Sequence, residues 1–241
     1  MATAMPRLLR PCQRRRAGHR TGTGLTVGST DRADRVVGRL EVDALLVTNL
    51  VNVRYLTGFT GSNGLCVLGP GLRRFVTDFR YLERAADEVE GFEIERAPQE
   101  FLAALGAGWD AGPLRLGFED DALTVRQHRR IAELLPDTVK LVPAGGAVEA
   151  ERALKDEGEL AAIAAAAALA DAALSATLER GLTGRTERAV ALDLEGELRA
   201  RGAEPAFGSI VASGVRGASP HATPTDAVIE TGVLVTIDWG A

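Results

Sequence analysis

The chain has 241 residues, enough for one or two domains at roughly 100–200 residues each, and its apolar and charged shares (46% and 25%) are those of a globular protein. The formal net charge is −5, yet the first thirty residues carry six arginines (Arg7, Arg10, Arg14, Arg15, Arg16, Arg20) and no acid, so residues 31 to 241 carry −11. A body that acidic argues against a nucleic-acid partner, because the phosphate backbone rewards clustered Lys and Arg; no uninterrupted apolar run reaches the roughly 18 residues that would span a bilayer, which argues against a membrane partner.

The basic head, with no apolar h-region after Arg14-Arg15-Arg16, reads as a disordered tail and linker over residues 1–30 rather than a secretion signal. Cys12 in that tail and Cys66 in an apolar run make no disulfide framework, so a reducing, cytoplasmic setting is expected. Folding is expected to begin near Asp31, with a helix from Arg32 to Leu40 leading into the apolar run Asp43 to Thr48, a strand buried on both faces. Gly58 to Gly64 is a turn cluster in which Asn63 is expected to take a left-handed conformation. Leu65 to Leu68 and Arg74 to Thr77 read as strands around the Gly69-Pro70-Gly71 turn. Asp78 and Arg80 flank Phe79 at a strand-to-helix junction, where capping and a surface ion pair suffice as roles.

Helices near Tyr81 to Glu90, Gln99 to Leu105 and Val125 to Leu135 then alternate with strands at Phe92 to Arg96, Leu114 to Phe118 and Thr138 to Val142. This alternation predicts an α/β layer with a largely parallel sheet, ending near Pro143 to Gly146. Next comes a long helix with Glu157 and Glu159 in its first turn, Arg180 in its last and Gly181 beyond, an order that suits the helix dipole and a glycine cap. Leu160, Ile163, Ala167, Ala170, Leu174 and Leu178 share one face of it. A helix from Thr186 to Arg201 and strands at Phe207 to Ala212 and Val233 to Asp238 complete the chain, and a sheet cut there would carry an unpaired apolar edge. On that ground the sequence is expected to be interrupted.

The common nucleotide, zinc-helix and nucleophile-elbow signatures are absent. His221 lies in a Gly/Pro/Ser-rich loop, Ser213 to Ala222, where it reads either as a surface histidine or as a functional one. His128 sits in the polar stretch of a helix and His19 in the tail, both solvated. Asp238 ends its strand on the face of Leu234 and Thr236, opposite Val233, Val235 and Ile237; with Gly240 behind it, it serves either a turn amide or a metal.

Two stretches together resemble a known family. Val51-Asn52-Val53-Arg54-Tyr55-Leu56-Thr57-Gly58-Phe59-Thr60-Gly61-Ser62-Asn63-Gly64, followed by Thr77-Asp78-Phe79-Arg80-Tyr81, resembles the amino-terminal, creatinase-like domain of Xaa-Pro aminopeptidases. Gly208 to Gly214, Ser219-Pro220-His221-Ala222-Thr223-Pro224-Thr225-Asp226 and Ile229 through Asp238 to Ala241 resemble the first half of that family's pita-bread metallopeptidase domain, and Arg152 to Glu159 resembles its opening segment. The resemblance implies a creatinase-like amino-terminal domain over residues 31–146 and an incomplete pita-bread (α+β) catalytic domain over residues 150–241. It also implies two divalent ions, commonly manganese, held by two Asp, one His and two Glu. Their bridging water attacks the carbonyl before proline in peptides with proline in second position.

Carried over, Asp238 matches the first metal-ligand Asp and His221 the substrate-side histidine, while the other four ligands have no counterpart in these residues. Val233 departs from the acid usual after the glycine. The expectation is a metallo-aminopeptidase by family that is inactive as these 241 residues alone. A non-catalytic binding or dimerisation module, with a homodimer as partner, and a creatine-type amidinohydrolase on the same fold stand as alternatives.

Overall fold

The apolar run after Asp43 forms strand β1 (Ala44–Val47) at the middle of a six-stranded sheet, with every side chain buried. This computed structural model describes residues 29–109 and 114–241; the basic tail up to residue 28, with Cys12 and His19, lies outside them. β2 (Gly64–Gly69) and β3 (Leu72–Thr77) form the hairpin expected around Gly69-Pro70-Gly71, followed by β4 (Glu93–Arg96), β5 (Leu114–Phe118) and β6 (Val139–Pro143). The order is β4-β3-β2-β1-β5-β6. Only β2 runs against its neighbours, so the sheet is largely parallel with one reversed strand.

The period-two geometry of the strands gives the sheet two apolar faces. Leu45, Val47, Cys66, Leu68 and Phe75 pack under α1 (Ser29–Val37), α2 (Leu50–Thr57) and α3 (Leu82–Glu88). Ala44, Leu46, Leu65, Val67 and Val76 pack under a 3-10 segment at Phe101–Gly106, Trp109 and α4 (Val125–Leu134). Each fully buried Leu contributes about 1.5–3 kcal/mol relative to exposure, and Leu45, Leu46, Leu65 and Leu68 are all fully buried.

Several local expectations are corrected. α2 falls where a β-branched stretch gave no helical signal; it forms because Asn49 accepts from the Val51 amide and because Val53, Tyr55 and Leu56 are buried, a tertiary gain that outweighs weak propensity. The expected helix from Gln99 is only the 3-10 segment, and the one from Tyr81 is a 3-10 turn at Phe79–Tyr81 leading into α3. Asn63 is not left-handed: among the described residues only glycines have positive φ, and the Asn63 amide instead donates to Asp78 at 2.6 Å. His128 is half-buried, its ring 4.9 Å from that of Phe118, rather than freely solvated.

A short α5 (Ala147–Arg152), also unforeseen, leads to the second part. There α6 (Glu157–Glu179) opens with a reciprocal cap between Asp156 and Glu159, and Gly181 beyond its end has φ 76°. α7 (Glu187–Ala200) is capped by Thr186, as expected, and an antiparallel ribbon of β7 (Ile210–Ser213) and β8 (Val235–Asp238) packs on it. α6 meets α7 through Ala173, against Leu194 and Leu198, and the Trp239 indole donates to the Ala170 carbonyl at 3.1 Å. The apolar face of α6 is not covered along its whole length: Leu160 and Ile163 are 56% and 54% exposed. By length and composition α6 is the one helix among the described residues able to cross a membrane, which the count of uninterrupted apolar residues did not show. The two parts are tied together by Arg35 and Arg39, both paired with the buried Glu151, and by Arg32 on Asp156 at 2.7 Å.

Candidate functional site

β8 alternates as its sequence demands. Val235 and Ile237 turn towards Val190 and Ala191 of α7, while Thr236 and Asp238 lie on the exposed face. The register sets Asp238 opposite Ile210, at the end of the ribbon. Asp238 is exposed and has no hydrogen-bond or ion-pair partner among the described residues, so the turn-amide role open in the sequence is not taken.

His221 lies in the long connection from β7 to β8. That connection opens with a 3-10 turn at Gly214–Ala218 and folds back over β8 at once: the Gly214 amide donates to the Leu234 carbonyl at 2.9 Å, and the Thr236 hydroxyl to the Gly217 carbonyl at 3.2 Å. The approach is close: a Cβ on Gly217 would come within 2.8 Å of the Thr236 Oγ1 and force that side chain to shift. The loop therefore crosses the face of β8 that carries Asp238. His221 itself is exposed and without a hydrogen-bond partner among the described residues, next to buried Ala222.

What fixes that loop is a residue the sequence reading passed over. Glu187, on the first turn of α7, is fully buried. Its carboxylate accepts from the Ser213 amide at 2.8 Å, the Thr225 amide at 3.0 Å, the Thr225 hydroxyl at 2.7 Å and the Arg216 guanidinium at 3.2 Å. Burial pushes its carboxyl up, but the hydrogen bonds from Ser213 and Thr225 more than offset this and hold it down at about 2. Arg216 also donates to the Thr223 carbonyl at 2.8 Å, closing the knot from the other side. An acid suits a helix N-terminus in any case, and the partners of Glu187 lie 26 to 38 residues away and leave no local signal.

The side chains present do not make a two-metal centre. A hard divalent cation takes about six to eight oxygens, Asp238 brings one carboxylate, and among the described residues no group of three or more His, Cys, Asp and Glu could hold a metal. What the chain offers is one unpartnered carboxylate at a strand end and one imidazole on a loop made rigid by a buried glutamate.

This arrangement sits on an α/β domain followed by two helices and a β-ribbon. The family model for the creatinase/prolidase N-terminal domain matches residues 30–154, and that for metallopeptidase family M24 matches residues 161–241. The chain belongs to this creatinase/prolidase family of metallopeptidases, whose members use divalent metal cofactors.

It is similar to the uncharacterized peptidase YqhT of Bacillus subtilis, at 39% identity over 88% of this chain and 60% of that relative. Among solved structures it resembles an Xaa-Pro dipeptidase from Bacillus anthracis (TM-score 0.81, 32% identity, 89% of this chain and 61% of that one). It also resembles an X-Pro aminopeptidase from Thermotoga maritima (TM-score 0.77, 31% identity, 88% and 61%). The chain thus spans about 60% of the length of these relatives.

Proposed function

We propose that this chain supplies the scaffold and the substrate-side half of an Xaa-Pro peptidase that cleaves the bond between an N-terminal residue and a following proline. In this reading Asp238 is the first metal ligand and His221 sits beside the scissile carbonyl, where it holds or passes a proton to the leaving proline nitrogen. The further ligands for two divalent ions, manganese by resemblance, are not among these 241 residues, and the residues alone do not hydrolyse peptides.

The observation that carries this is the exposed, unpartnered Asp238 at the end of β8, under a loop whose course is set by the Glu187 knot. The Xaa-Pro dipeptidases among its relatives support the substrate class. The setting we propose is cytoplasmic, with no membrane and no nucleic acid as partner; the match of the metallopeptidase family over residues 161–241, most of α6 included, supports α6 as a helix of that domain. Homodimerisation, and a creatine-type amidinohydrolase activity, remain alternatives that no feature of the site favours.

The test is release of the first residue from an Xaa-Pro-Xaa peptide in manganese buffer. The 241 residues should give none, and a version extended with a relative's remaining ligands should give activity that Asp238→Ala removes. Hydrolysis by the 241 residues that disappears in Asp238→Ala would overturn the claim of an incomplete centre.

A further inference from the structure

At the carboxyl ends of the parallel neighbours β3 and β4, far in sequence from the site above, lies a recess of about 610 Å³. The size is that of a small-molecule site. The register pairs Thr77 with Arg96, and the Ala97 amide donates to the Thr77 carbonyl at 2.8 Å, so Asp78 and Arg96 leave the sheet side by side.

The charges in the recess do not cancel. The Asp78 carboxylate is committed inward: it accepts from the Arg80 guanidinium at 2.8 and 3.0 Å, the Arg80 amide at 2.9 Å and the Asn63 amide group at 2.6 Å. The Arg80 guanidinium, then Asn63, hold its carboxyl well below the usual carboxylate range, so it stays an anion matched by Arg80. Arg96 is left with no hydrogen-bond or ion-pair partner among the described residues, an unmatched positive charge in a chain of net charge −5. Phe79, which is 69% exposed, and the half-buried Phe101 line the same recess. Single exposed apolar residues need no explanation; an exposed ring and a free guanidinium on one recess have complementary chemistry.

We infer that this recess binds a small organic anion with a carboxylate head and a planar apolar body. The Arg96 guanidinium is a planar fork that takes a carboxylate at two points, and Phe79 offers its ring to the body of the ligand. The site is independent of Asp238 and His221 and of the peptidase reading.

The probe is phenylacetate, titrated into the 241-residue protein at pH 7 and constant ionic strength, with backbone amide shifts followed by NMR. Its neutral isostere, phenylacetamide, is the comparison. Saturable shifts confined to residues 77–80 and 96–101 are expected, with phenylacetamide at least tenfold weaker. Arg96→Gln should weaken phenylacetate at least tenfold, Arg96→Lys should fall between, and Phe79→Ala should weaken both ligands. Non-saturating or scattered shifts, equal binding of the amide, or no effect of Arg96→Gln in a folded protein would overturn the assignment. The acid–amide comparison on the unmodified protein decides the matter even if a variant fails to fold.

Discussion

The Glu187 carboxylate and Thr225 are tied by two hydrogen bonds, 2.7 Å from the hydroxyl and 3.0 Å from the amide, across 38 residues of chain. With the bond from the Ser213 amide, one buried side chain fixes the loop that carries His221 on both sides of it. Removing it takes the acceptor from the Ser213 and Thr225 amides and the Thr225 hydroxyl, and the counter-charge from Arg216, which keeps its bond to the Thr223 carbonyl. Glu187→Ala should therefore cost about 3–5 kcal/mol, the scale of a broken buried charged network. Glu187→Gln keeps an acceptor and should cost less. Urea unfolding followed at Trp239, which packs against α6 and α7, measures both; a loss below about 1 kcal/mol for Glu187→Ala would mean the knot is not what holds the loop.

Acid should affect the two parts of the chain in opposite senses. Glu187 is held at about 2 against an ordinary 4.5, so its stabilisation is complete above pH 4.5 and is lost as pH falls through 2. At 1.36 kcal/mol per pKa unit this is about 3 kcal/mol at neutral pH. Glu119 in the first domain is displaced the other way: burial pushes its carboxyl up, and the hydrogen bonds from Asn52 and from the Asn49 and Thr48 amides offset only part of this. Its contribution is therefore complete below 4.5 and lost as pH rises through the raised value. The two tryptophans sit one in each part, Trp109 under the sheet and Trp239 on α6. Between pH 6 and 3 the Trp239-reported stability should fall more steeply than the Trp109-reported one, and Glu187→Gln should flatten the difference. Parallel slopes in the unmodified protein would refute the assignment.

What could be read from sequence followed from local pattern. The buried run Ala44–Val47, the hairpin at Gly71 and the caps at Thr186 and Gly181 each depend on residues within a few positions of one another. So did the placing of Asp238 opposite Val235 and Ile237 across the pleat of β8, which needs only a period of two. α2 was hidden because its helix rests on burial against the sheet rather than on propensity. Glu119, Glu151 and Glu187 were hidden for the same kind of reason: each buried acid finds its partners 26 or more residues away, and an isolated Glu in a sequence carries no mark of burial.

The glycine that closes α2 shows why that motif needs glycine. Gly58 has φ 83°, its amide donates to the Arg54 carbonyl at 2.8 Å, and a Cβ would approach the Glu88 carbonyl oxygen to 2.8 Å. Gly71 in the hairpin has φ 70° with open space around it. Both alanine variants incur the left-handed penalty of about 1–2 kcal/mol, but only Gly58→Ala also forces two backbone segments apart. Gly58→Ala should be less stable than Gly71→Ala by about 1 kcal/mol or more, read as the difference in urea midpoints at equal slope. Equal losses would show that the approach of α3 to Gly58 relaxes freely.

Asp238 carries the opposite expectation. A carboxylate that caps a turn or pairs with a neighbour loses about 0.5–2 kcal/mol when cut to Ala, whereas an exposed one without a partner stays within about 0.5 kcal/mol. Asp238 is exposed and unpartnered among the described residues, and Thr236 on the same face already anchors the crossing loop through Gly217. Asp238→Ala should leave the thermal midpoint of the 241-residue protein unchanged, and His221→Ala should do likewise, because both side chains stand outside the packing that holds the ribbon to α7. In a version extended with a relative's remaining ligands the same Asp238→Ala change should remove Xaa-Pro hydrolysis, again with an unchanged midpoint. A drop in midpoint as large as that of Glu187→Gln would make Asp238 a structural residue of the ribbon end and withdraw it from the proposed chemistry.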